Sequence, residues 1–304
     1  MVRYTGIYMP STNPQPKYRH VAPFIFALLR SGIDDILRPL LHLPAEPIEI
    51  NPNEVRIWWI GHASVFINLY GTTILTDPVL VNWIPWPRRI VASPYQAADL
   101  PKLDYVVISH AHLDHANRPT LRALAPKTST LILPRNCSDL IRGMGFREII
   151  ELDWGGRMSR GGLEIQTFQP RHWGLRYPWE RIDRGYNCYL FSKNGGSVFF
   201  GGDSAYGDFF KTIGSGAEIH TALLPIGAYR PPPFRQHHMD PEDAIQAFLD
   251  LKARQFIPIH YHTFRLSLEP LEEPESFLTS EAAARGLSDR VRILKQGQSI
   301  IITK

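Results

Sequence analysis

A run of apolar residues leading directly into a cluster of histidines and an aspartate constrains this chain more than any other feature. Tyr105–Ser109 has the pattern of a short buried strand, and His110-Ala-His112-Leu-Asp114-His115 follows it at once. Imidazole and carboxylate groups are the ligands that zinc and similar divalent ions bind in proteins. Side chains at a strand end and in a tight turn can converge, with His110 and His112 on one ion and Asp114 and His115 on another. The cluster therefore predicts a two-metal site at the end of a strand.

Three residues farther along the chain complete the candidate ligand set, each at a predicted strand end. His172 follows the strand predicted over Leu163–Phe168, and His260 ends the strand predicted over Phe256–Ile259. Asp203 follows an apolar strand and two glycines, which allow close backbone approach. Taken alone, His172 is typical of a loop histidine, and His262 competes with His260 for the same role. These three residues gain weight only beside the six-residue cluster.

Short β-like runs recur from residue 54 onward, and helical patterns fall between some of them. The predicted strands also include 55–60, 65–69, 73–75, 130–133, 187–191, 198–200, 222–226 and 299–302. The predicted helices cover 118–124, 138–144, 242–252 and 276–285. Asp240 is a suitable N-cap for the third of these helices, and Pro241 suits its first turn. We predict an α/β catalytic domain over residues 54–304, preceded by a separate segment over residues 1–53.

The segment over residues 1–53 is predicted to contain an extended arm and an amphipathic helix. Met1–Lys17 is polar and rich in proline, whereas Phe24–Leu41 places apolar residues near one helical face. This helix either packs on the main domain or contacts a membrane surface. The loop over Val81–Val91 is aromatic, apolar and then basic. That composition suits a membrane interface, and it equally suits a lid over the active-site cleft.

The net charge limits the kinds of molecule that the protein is expected to bind, and the cysteine content indicates its cellular compartment. The net charge of +4 is compatible with an anionic substrate or membrane but is too small for a nucleic-acid-binding surface. The two cysteines, Cys137 and Cys188, form no spacing motif, so we expect a reducing, cytoplasmic compartment. No apolar stretch reaches the length of about 18 residues that a membrane span requires. The short apolar run over Ala22–Leu29 starts late and lacks a cleavage site, which disfavours a signal peptide.

The sequence His110-Ala-His-Leu-Asp-His115 resembles the signature of the metallo-β-lactamase superfamily. His172, Asp203 and His260 match the order and approximate spacing of the remaining ligands in that superfamily. The resemblance covers roughly residues 55–265 and implies a four-layer αββα sandwich with the metals at one edge. It further implies that His110, His112 and His172 hold one ion, that Asp114, His115 and His260 hold a second, and that Asp203 bridges them.

Further segments resemble one branch of this superfamily, the N-acyl-phosphatidylethanolamine-hydrolysing phospholipase D group and the lactonase-like proteins. They are Trp58–Ser64 with Thr76-Asp-Pro78, Leu224–Tyr229 with His238–Glu242, and Ile259–Phe264. Arg171-His-Trp-Gly174 differs from the Gly-His-Thr type of segment found in thiol-ester and homoserine-lactone hydrolases. The resemblance therefore favours a phospholipase D-like phosphodiesterase over a lactonase.

Two divalent ions close together would lower the pKa of a shared water toward neutrality, so that hydroxide attacks phosphorus or carbonyl carbon. The ligand set suits zinc, and manganese or iron can also use it. We expect Asp114 to orient the hydroxide, and His238 to protonate a leaving group or bind a phosphoryl oxygen. We expect His238, Tyr229 and Arg230 to contact the substrate, and His62 to support the ligands. The expected site loops contain many arginines, which would favour a phosphodiester: Arg88, Arg89, Arg171, Arg176, Arg181, Arg184, Arg230 and Arg235.

The main alternative function is hydrolysis of lactones, carboxylic esters or amides at the same two-metal centre. A di-iron oxidoreductase on this fold would carry glutamate in place of His112, so the sequence disfavours it. A non-enzymatic relative would have lost ligands, and all seven candidate positions are kept here. The expected substrate is therefore a small-molecule or lipid phosphodiester, with a contact to the membrane periphery left open and the oligomeric state undetermined.

Overall fold

A computed structural model describes residues 30, 33, 35–85 and 87–303 of the chain. These residues form two β-sheets, one of seven strands in the order β13-β1-β2-β3-β4-β5-β6 and one of six in the order β12-β11-β10-β9-β8-β7. Both sheets are mixed, because β3 to β6 and β10 to β12 pair in parallel while the other neighbouring strands pair antiparallel. The predicted αββα sandwich is confirmed.

The strands of the first sheet, in chain order, are β1 Val55–Gly61, β2 Ser64–Leu69, β3 Thr72–Thr76, β4 Leu103–Val107, β5 Thr128–Pro134, β6 Ile149–Leu152 and β13 Ser299–Ile302. The strands of the second sheet are β7 Arg157–Arg160, β8 Leu163–Phe168, β9 Cys188–Lys193, β10 Gly196–Phe200, β11 Thr221–Pro225 and β12 Gln255–Ile259. The four α-helices described are α1 Arg118–Leu124, α2 Phe209–Gly216, α3 Pro241–Asp250 and α4 Glu273–Ala284.

Strand β1 is buried on both faces, which explains why its sequence is almost continuously apolar. Ile57 and Trp59 belong to the core between the sheets, whereas Trp58 and Ile60 pack in a second cluster with Leu121 of helix α1. Successive side chains of a strand point to opposite faces, so one strand contributes to two layers of the sandwich. The second sheet is covered in the same way by residues of α2, α3 and α4.

Helix α3 begins as its sequence predicts. The Asp240 side chain accepts a hydrogen bond of 2.9 Å from the Asp243 amide, and Pro241 occupies the first turn. An N-cap of this kind stabilises a helix by about 1 kcal/mol. Because His238 lies two residues before the cap, the fixed start of α3 also fixes the position of that histidine.

Some predicted elements differ in the structure. The helix predicted over 138–144 is only a short 3₁₀ turn, Ser138–Ile141, because Gly143 and Gly145 adopt left-handed backbone conformations. Helix α2 was not predicted because it contains Gly214, and glycine lowers helix propensity. Glycine is required there, since a Cβ atom would lie 2.2 Å from the Asp250 carbonyl oxygen. Strands β6 and β7 escaped prediction because they are partly exposed edge strands. The predicted amphipathic helix lies mostly outside the described residues, although 35–37 are helical, and the division at residue 53 stays a prediction.

The parallel strands bring their carboxyl ends to one edge of each sheet. The loops after β3 and β4 meet at the edge of the first sheet, and those after β10 and β12 at the edge of the second. Backbone hydrogen bonds join the two edges, from the His260 amide to the His62 carbonyl (3.0 Å) and from the Asn187 amide to the Ser109 carbonyl (2.8 Å). Among the described residues, no helix is long and apolar enough to cross a bilayer.

Candidate metal centre

The structure brings all seven predicted ligands to this common edge, in two adjoining groups. His110, His112, His172 and Asp203 offer ligand atoms within 4.8 Å of one another. His62, Asp114, His115 and His260 form a second group by the same measure. The division follows the one implied by the resemblance, with His62 added to the second group.

Asp203 lies between the two groups. Its Oδ2 atom is 3.2 Å from Nε2 of His115 and 3.9 Å from Nε2 of His172, and its Oδ1 atom is 3.1 Å from Nε2 of His260. One carboxylate therefore reaches histidines of both groups, as a residue bridging two ions must. Binding of ions by these residues stays a prediction that this geometry favours.

Several candidate ligand atoms in the cluster are buried and, although some lie close to one another, they make no hydrogen bond of suitable angle among the described residues. They include Nε2 of His115, Nε2 of His260 and Oδ1 of Asp203. Buried polar atoms are normally paired, since an unpaired one costs about 1–3 kcal/mol. Cations placed among these atoms would satisfy them, so the residues present fit a pair of divalent ions.

The protonation states also suit cation binding. Burial lowers the pKa of His112 to about 4 and takes the pKa values of His110 and His172 well below the ordinary value, so all three are neutral near pH 7. Burial opposes ionisation of Asp203, yet His115 and His260 hold the pKa of that carboxyl well below its usual range. Neutral imidazoles and ionised carboxylates are the forms that bind metals.

His115 is the exception among the histidines. Burial disfavours its charged form, but the nearby carboxylates of Asp203, Asp114 and Asp77 raise its pKa well above the usual value. A proton on His115 balances part of this negative charge in the metal-free protein. Cation binding at the second group must therefore displace that proton.

Hydrogen bonds to the far ring nitrogens orient three of the histidines. Nδ1 of His115 donates to Oδ2 of Asp77 (2.6 Å), and Nδ1 of His172 donates to the His237 carbonyl (3.0 Å). Nδ1 of His110 lies 2.8 Å from Oγ of Ser109, which in turn donates to Asp77. Such contacts fix the tautomer and aim Nε2 at the ion. Asp77 thus supports both groups, and the signal for it was a buried acid directly after a strand and before Pro78.

His238 lies beside the cluster, where a substrate-binding or proton-donating residue is expected. Its Nε2 atom is 3.5 Å from Oδ2 of Asp203, and its Nδ1 atom is 3.4 Å from the Phe234 carbonyl. The residue is 8% exposed, so its side chain is largely buried. His262, in contrast, turns away and pairs with Glu275 at 3.3 Å.

Tyr229 and Arg230, the other two predicted substrate contacts, are bound elsewhere. The Tyr229 hydroxyl donates to Glu273 (2.7 Å), and the Arg230 guanidinium pairs with the same carboxylate (2.7 Å). No contact among the described residues joins either side chain to the seven candidate ligands. Their role toward a substrate stays a prediction, and one carboxylate at the start of α4 holds both.

Three of the eight arginines predicted in loops around the site make contacts within the protein. Arg89 is fully buried, and Arg184 is 3% exposed and paired with Asp139 and Glu180. Arg176 donates to backbone carbonyls of the histidine loop. These guanidinium groups hold loops together and are not free to bind a phosphate.

Trp173 covers one side of the first group, which sequence reasoning missed. Its ring stacks on His172 with centroids 4.4 Å apart and meets the edge of His112 at 4.8 Å. The side chain is 37% exposed, so one part of the indole faces solvent. The only signal was its position directly after His172.

Comparison with known proteins identifies the family. Residues 72–261, more than half of the chain, match the Beta-lactamase superfamily domain. The chain belongs to the β-lactamase superfamily. This superfamily member is 32% identical over 259 residues to an uncharacterised protein of Mycobacterium tuberculosis, covering 79% of this chain and 69% of the relative. It is 29% identical over 268 residues to the mitochondrial N-acyl-phosphatidylethanolamine-hydrolysing phospholipase D of Saccharomyces cerevisiae, covering 82% of this chain and 57% of that enzyme.

A solved structure of low sequence identity shows the same β-lactamase superfamily fold. Igni18, a metallo hydrolase of the archaeon Ignicoccus hospitalis, superposes with a TM-score of 0.67 at 23% identity, covering 83% of this chain and all of that one. Family, fold and the buried histidine–aspartate cluster agree. The protein is a metal-dependent hydrolase of the β-lactamase superfamily.

Proposed function

We propose that the protein is a phosphodiesterase that cleaves a phospholipid in the manner of phospholipase D at a centre of two divalent ions. The observation that carries the proposal is the placement of His238, whose Nε2 atom lies 3.5 Å from Asp203 at the junction of the two ligand groups. A proton donor at this point serves a reaction whose leaving group is a poor one, such as the alkoxide of a lipid headgroup. Similarity to the yeast phospholipase D supports the same substrate class.

The candidate ligands would hold one ion at His110, His112 and His172 and a second at Asp114, His115 and His260, with Asp203 shared. Two ions bound there, zinc being the best match to this donor set, would activate water at neutral pH and neutralise charge on phosphoryl oxygens. The seven residues contribute the preorganised shape of the site. Their buried positions mean that little reorganisation is needed when charge develops during the reaction.

Asp114 and His238 have separate roles in the proposed reaction. The Asp114 carboxylate, the more exposed of the two acids with 14% of its side chain accessible, orients the attacking water. The oxygen of that water bonds to phosphorus while the bond from phosphorus to the alcohol oxygen breaks, and the proton that the water loses passes to the Asp114 carboxylate. His238 gives a proton to the departing alcohol oxygen, so that phosphatidate and a neutral alcohol result.

A lipid substrate also requires access to a membrane surface. Trp83 is 50% exposed, and Trp179 is 76% exposed on the segment that follows His172. The Arg88 guanidinium lies 5.9 Å from the Trp83 ring, which pairs a cation with an aromatic side chain as interfacial surfaces often do. We expect these residues to contact the membrane periphery. The two free cysteines are both buried, which suits a cytoplasmic protein.

The test compares substrate classes on one metal-loaded preparation. The substrates are bis(4-nitrophenyl) phosphate, N-acyl-phosphatidylethanolamine in mixed micelles, a lactone and 4-nitrophenyl acetate, with Asp203→Ala as the control for contaminating activity. We expect turnover of both phosphodiesters to exceed that of the lactone and the ester. Efficient lactone cleavage with no phosphodiester cleavage would replace the proposal with the lactonase alternative.

A further inference from the structure

Arg89 is a buried arginine without an acidic partner among the described residues. It is 0% exposed, and its guanidinium donates to the carbonyl oxygens of Val79 (2.9 Å) and Val91 (3.3 Å) and to Oε1 of Gln296 (3.2 Å). Burial lowers its pKa to about 9, which reflects the cost of holding this charge away from water. A buried, unpaired charge is unfavourable unless its hydrogen bonds serve a purpose.

Gln296 connects Arg89 to residues that lie closer to the candidate metal centre. Its Nε2 group donates to the His262 carbonyl (3.0 Å) and to Oγ1 of Thr263 (3.2 Å). The Thr263 hydroxyl also accepts a hydrogen bond of 2.6 Å from the His62 amide. Arg89, Gln296 and Thr263 therefore form a continuous buried chain that ends on the backbone of His62.

His62 is in contact with two ligands of the second group, one from each sheet. Its Nε2 atom lies 3.0 Å from Oδ2 of Asp114, and its carbonyl oxygen accepts from the His260 amide at 3.0 Å. His62 has a φ of 55°, a left-handed conformation that is unfavourable for a residue with a side chain. The surrounding hydrogen bonds must hold it there, and the Thr263 hydroxyl supplies one of them.

Gly61 is shaped by the same chain. A Cβ atom at this position would lie 2.4 Å from Oε1 of Gln296 and 3.2 Å from Nη1 of Arg89. Its φ of 122° also belongs to a region that favours glycine. The turn that carries His62 therefore packs directly on the Arg89–Gln296 contact.

We infer that Arg89 is a positioning residue that acts through Gln296 and Thr263 to hold His62, and through His62 the Asp114 and His260 ligands. This inference rests on the two-ion centre proposed above. The first group has other supports, since the His237 carbonyl orients His172 and Ser109 contacts His110. Breaking the Arg89 chain should therefore weaken binding of the second ion and spare the first.

The experiment measures stepwise Co²⁺ affinity of the metal-free full chain in competition with a chromophoric chelator. Thr263→Val removes the hydroxyl with little change of shape, whereas Thr263→Ser keeps it. Arg89→Met removes the guanidinium. Arg290→Met is the control. Arg89 donates to backbone carbonyls and lies 5.5 Å from the Phe264 ring, and Arg290 likewise donates to the carbonyls of Ala253 and Arg254 and lies 4.6 Å from the Phe248 ring. Arg290 makes these contacts near the start of β12, whereas His260 follows its end.

We expect Thr263→Val and Arg89→Met to bind the first Co²⁺ as the wild type does and the second about 10–100-fold more weakly. Thr263→Ser and Arg290→Met should keep both affinities. If Arg89→Met does not fold, the Thr263 pair decides alone, with circular dichroism to confirm its fold. Equal loss of both ions in the folded Thr263→Val protein, or no loss of either, would overturn the inference.

The phosphodiesterase proposal and the positioning role of Arg89 can be refuted independently. A wild type that binds two ions but cleaves no phosphodiester would refute the substrate assignment, while the differential loss of the second ion would still support the inference. A wild type that binds fewer than two ions would overturn both the two-ion centre and the positioning role of Arg89.

Discussion

Oδ2 of Asp77 accepts a hydrogen bond of 2.6 Å from Nδ1 of His115, and both side chains are completely buried. The contact joins the end of β3 to the histidine loop after β4. It aims Nε2 of His115 toward Asp203 at 3.2 Å. The geometry of the second ligand group thus depends on a residue outside the seven candidate ligands.

Replacing Asp77 with asparagine should weaken the hydrogen bond to His115 while keeping the size of the side chain. We expect affinity for the second ion to fall about 10–100-fold, because an amide is a weaker acceptor and leaves the His115 ring less well fixed. Isothermal titration of metal-free protein with Zn²⁺ measures the change. Asp208→Asn, at an exposed carboxylate, is the control, and equal behaviour of the two variants would refute the orienting role.

Asp203→Ala should abolish activity more completely than His262→Ala. Asp203 reaches histidines of both groups, whereas the His262 ring pairs with Glu275. Hydrolysis rates of the two metal-loaded variants, each checked by circular dichroism, provide the comparison. A similar loss in both would mean that the assignment of these two residues is incorrect.

The cluster was predictable from sequence because four of its residues are adjacent and follow a recognisable strand. His172, Asp203 and His260 were also predictable, since each follows a strand whose carboxyl end reaches the same edge. The contacts among them were not, because a strand pattern does not say which loop ends meet. The pairing of Asp77 with His115 depends on the parallel register of β3 and β4.

Other features were hidden for different physical reasons. Arg89 lies in a sequence that is typical of a basic surface loop, and only the fold buries it against Gln296, far away in the chain. Both Tyr229 and Arg230 contact Glu273, a residue that lies far along the chain, so the sequence alone could not predict this pairing. Helix α2 was hidden by Gly214, which lowers helix propensity. A glycine is needed at this position because the backbone of α2 packs closely against the end of α3.

The loss of activity in His238 variants should depend on the leaving group of the phosphodiester substrate. His238→Ala should slow hydrolysis of a phosphodiester with an alkyl leaving group about 10²–10⁴-fold, because the alkoxide needs a proton to depart. Bis(4-nitrophenyl) phosphate should suffer less, since nitrophenolate leaves without protonation. His238→Gln, which can donate a hydrogen bond but no proton, should behave like alanine toward the alkyl substrate. Equal rates in wild type and both variants would show that His238 takes no part.

The metal-free protein should lose stability as the pH falls below about 6.5, the pKa of histidine in an unfolded chain. Burial lowers the pKa of His62 to about 3 and of His112 to about 4, so the folded state binds fewer protons than the unfolded state. Each such proton removes about 1.4 kcal/mol of unfolding free energy per pH unit until the folded pKa is reached. His115, with its raised pKa, acts in the opposite direction and offsets part of the slope.

Urea unfolding of the metal-free protein between pH 7 and pH 4.5 measures that slope. His62→Gln should make the slope shallower by up to one proton. A stability that does not vary over this range would contradict the neutral state assigned to these buried histidines.

Elemental analysis of the purified protein tests the central claim most directly. The wild type should contain two divalent ions per chain, and His112→Ala and His260→Ala should each lose one of them, because the two residues belong to different ligand groups. Unchanged metal content in both folded variants, or no bound divalent ion in the wild type, would contradict the two-ion centre.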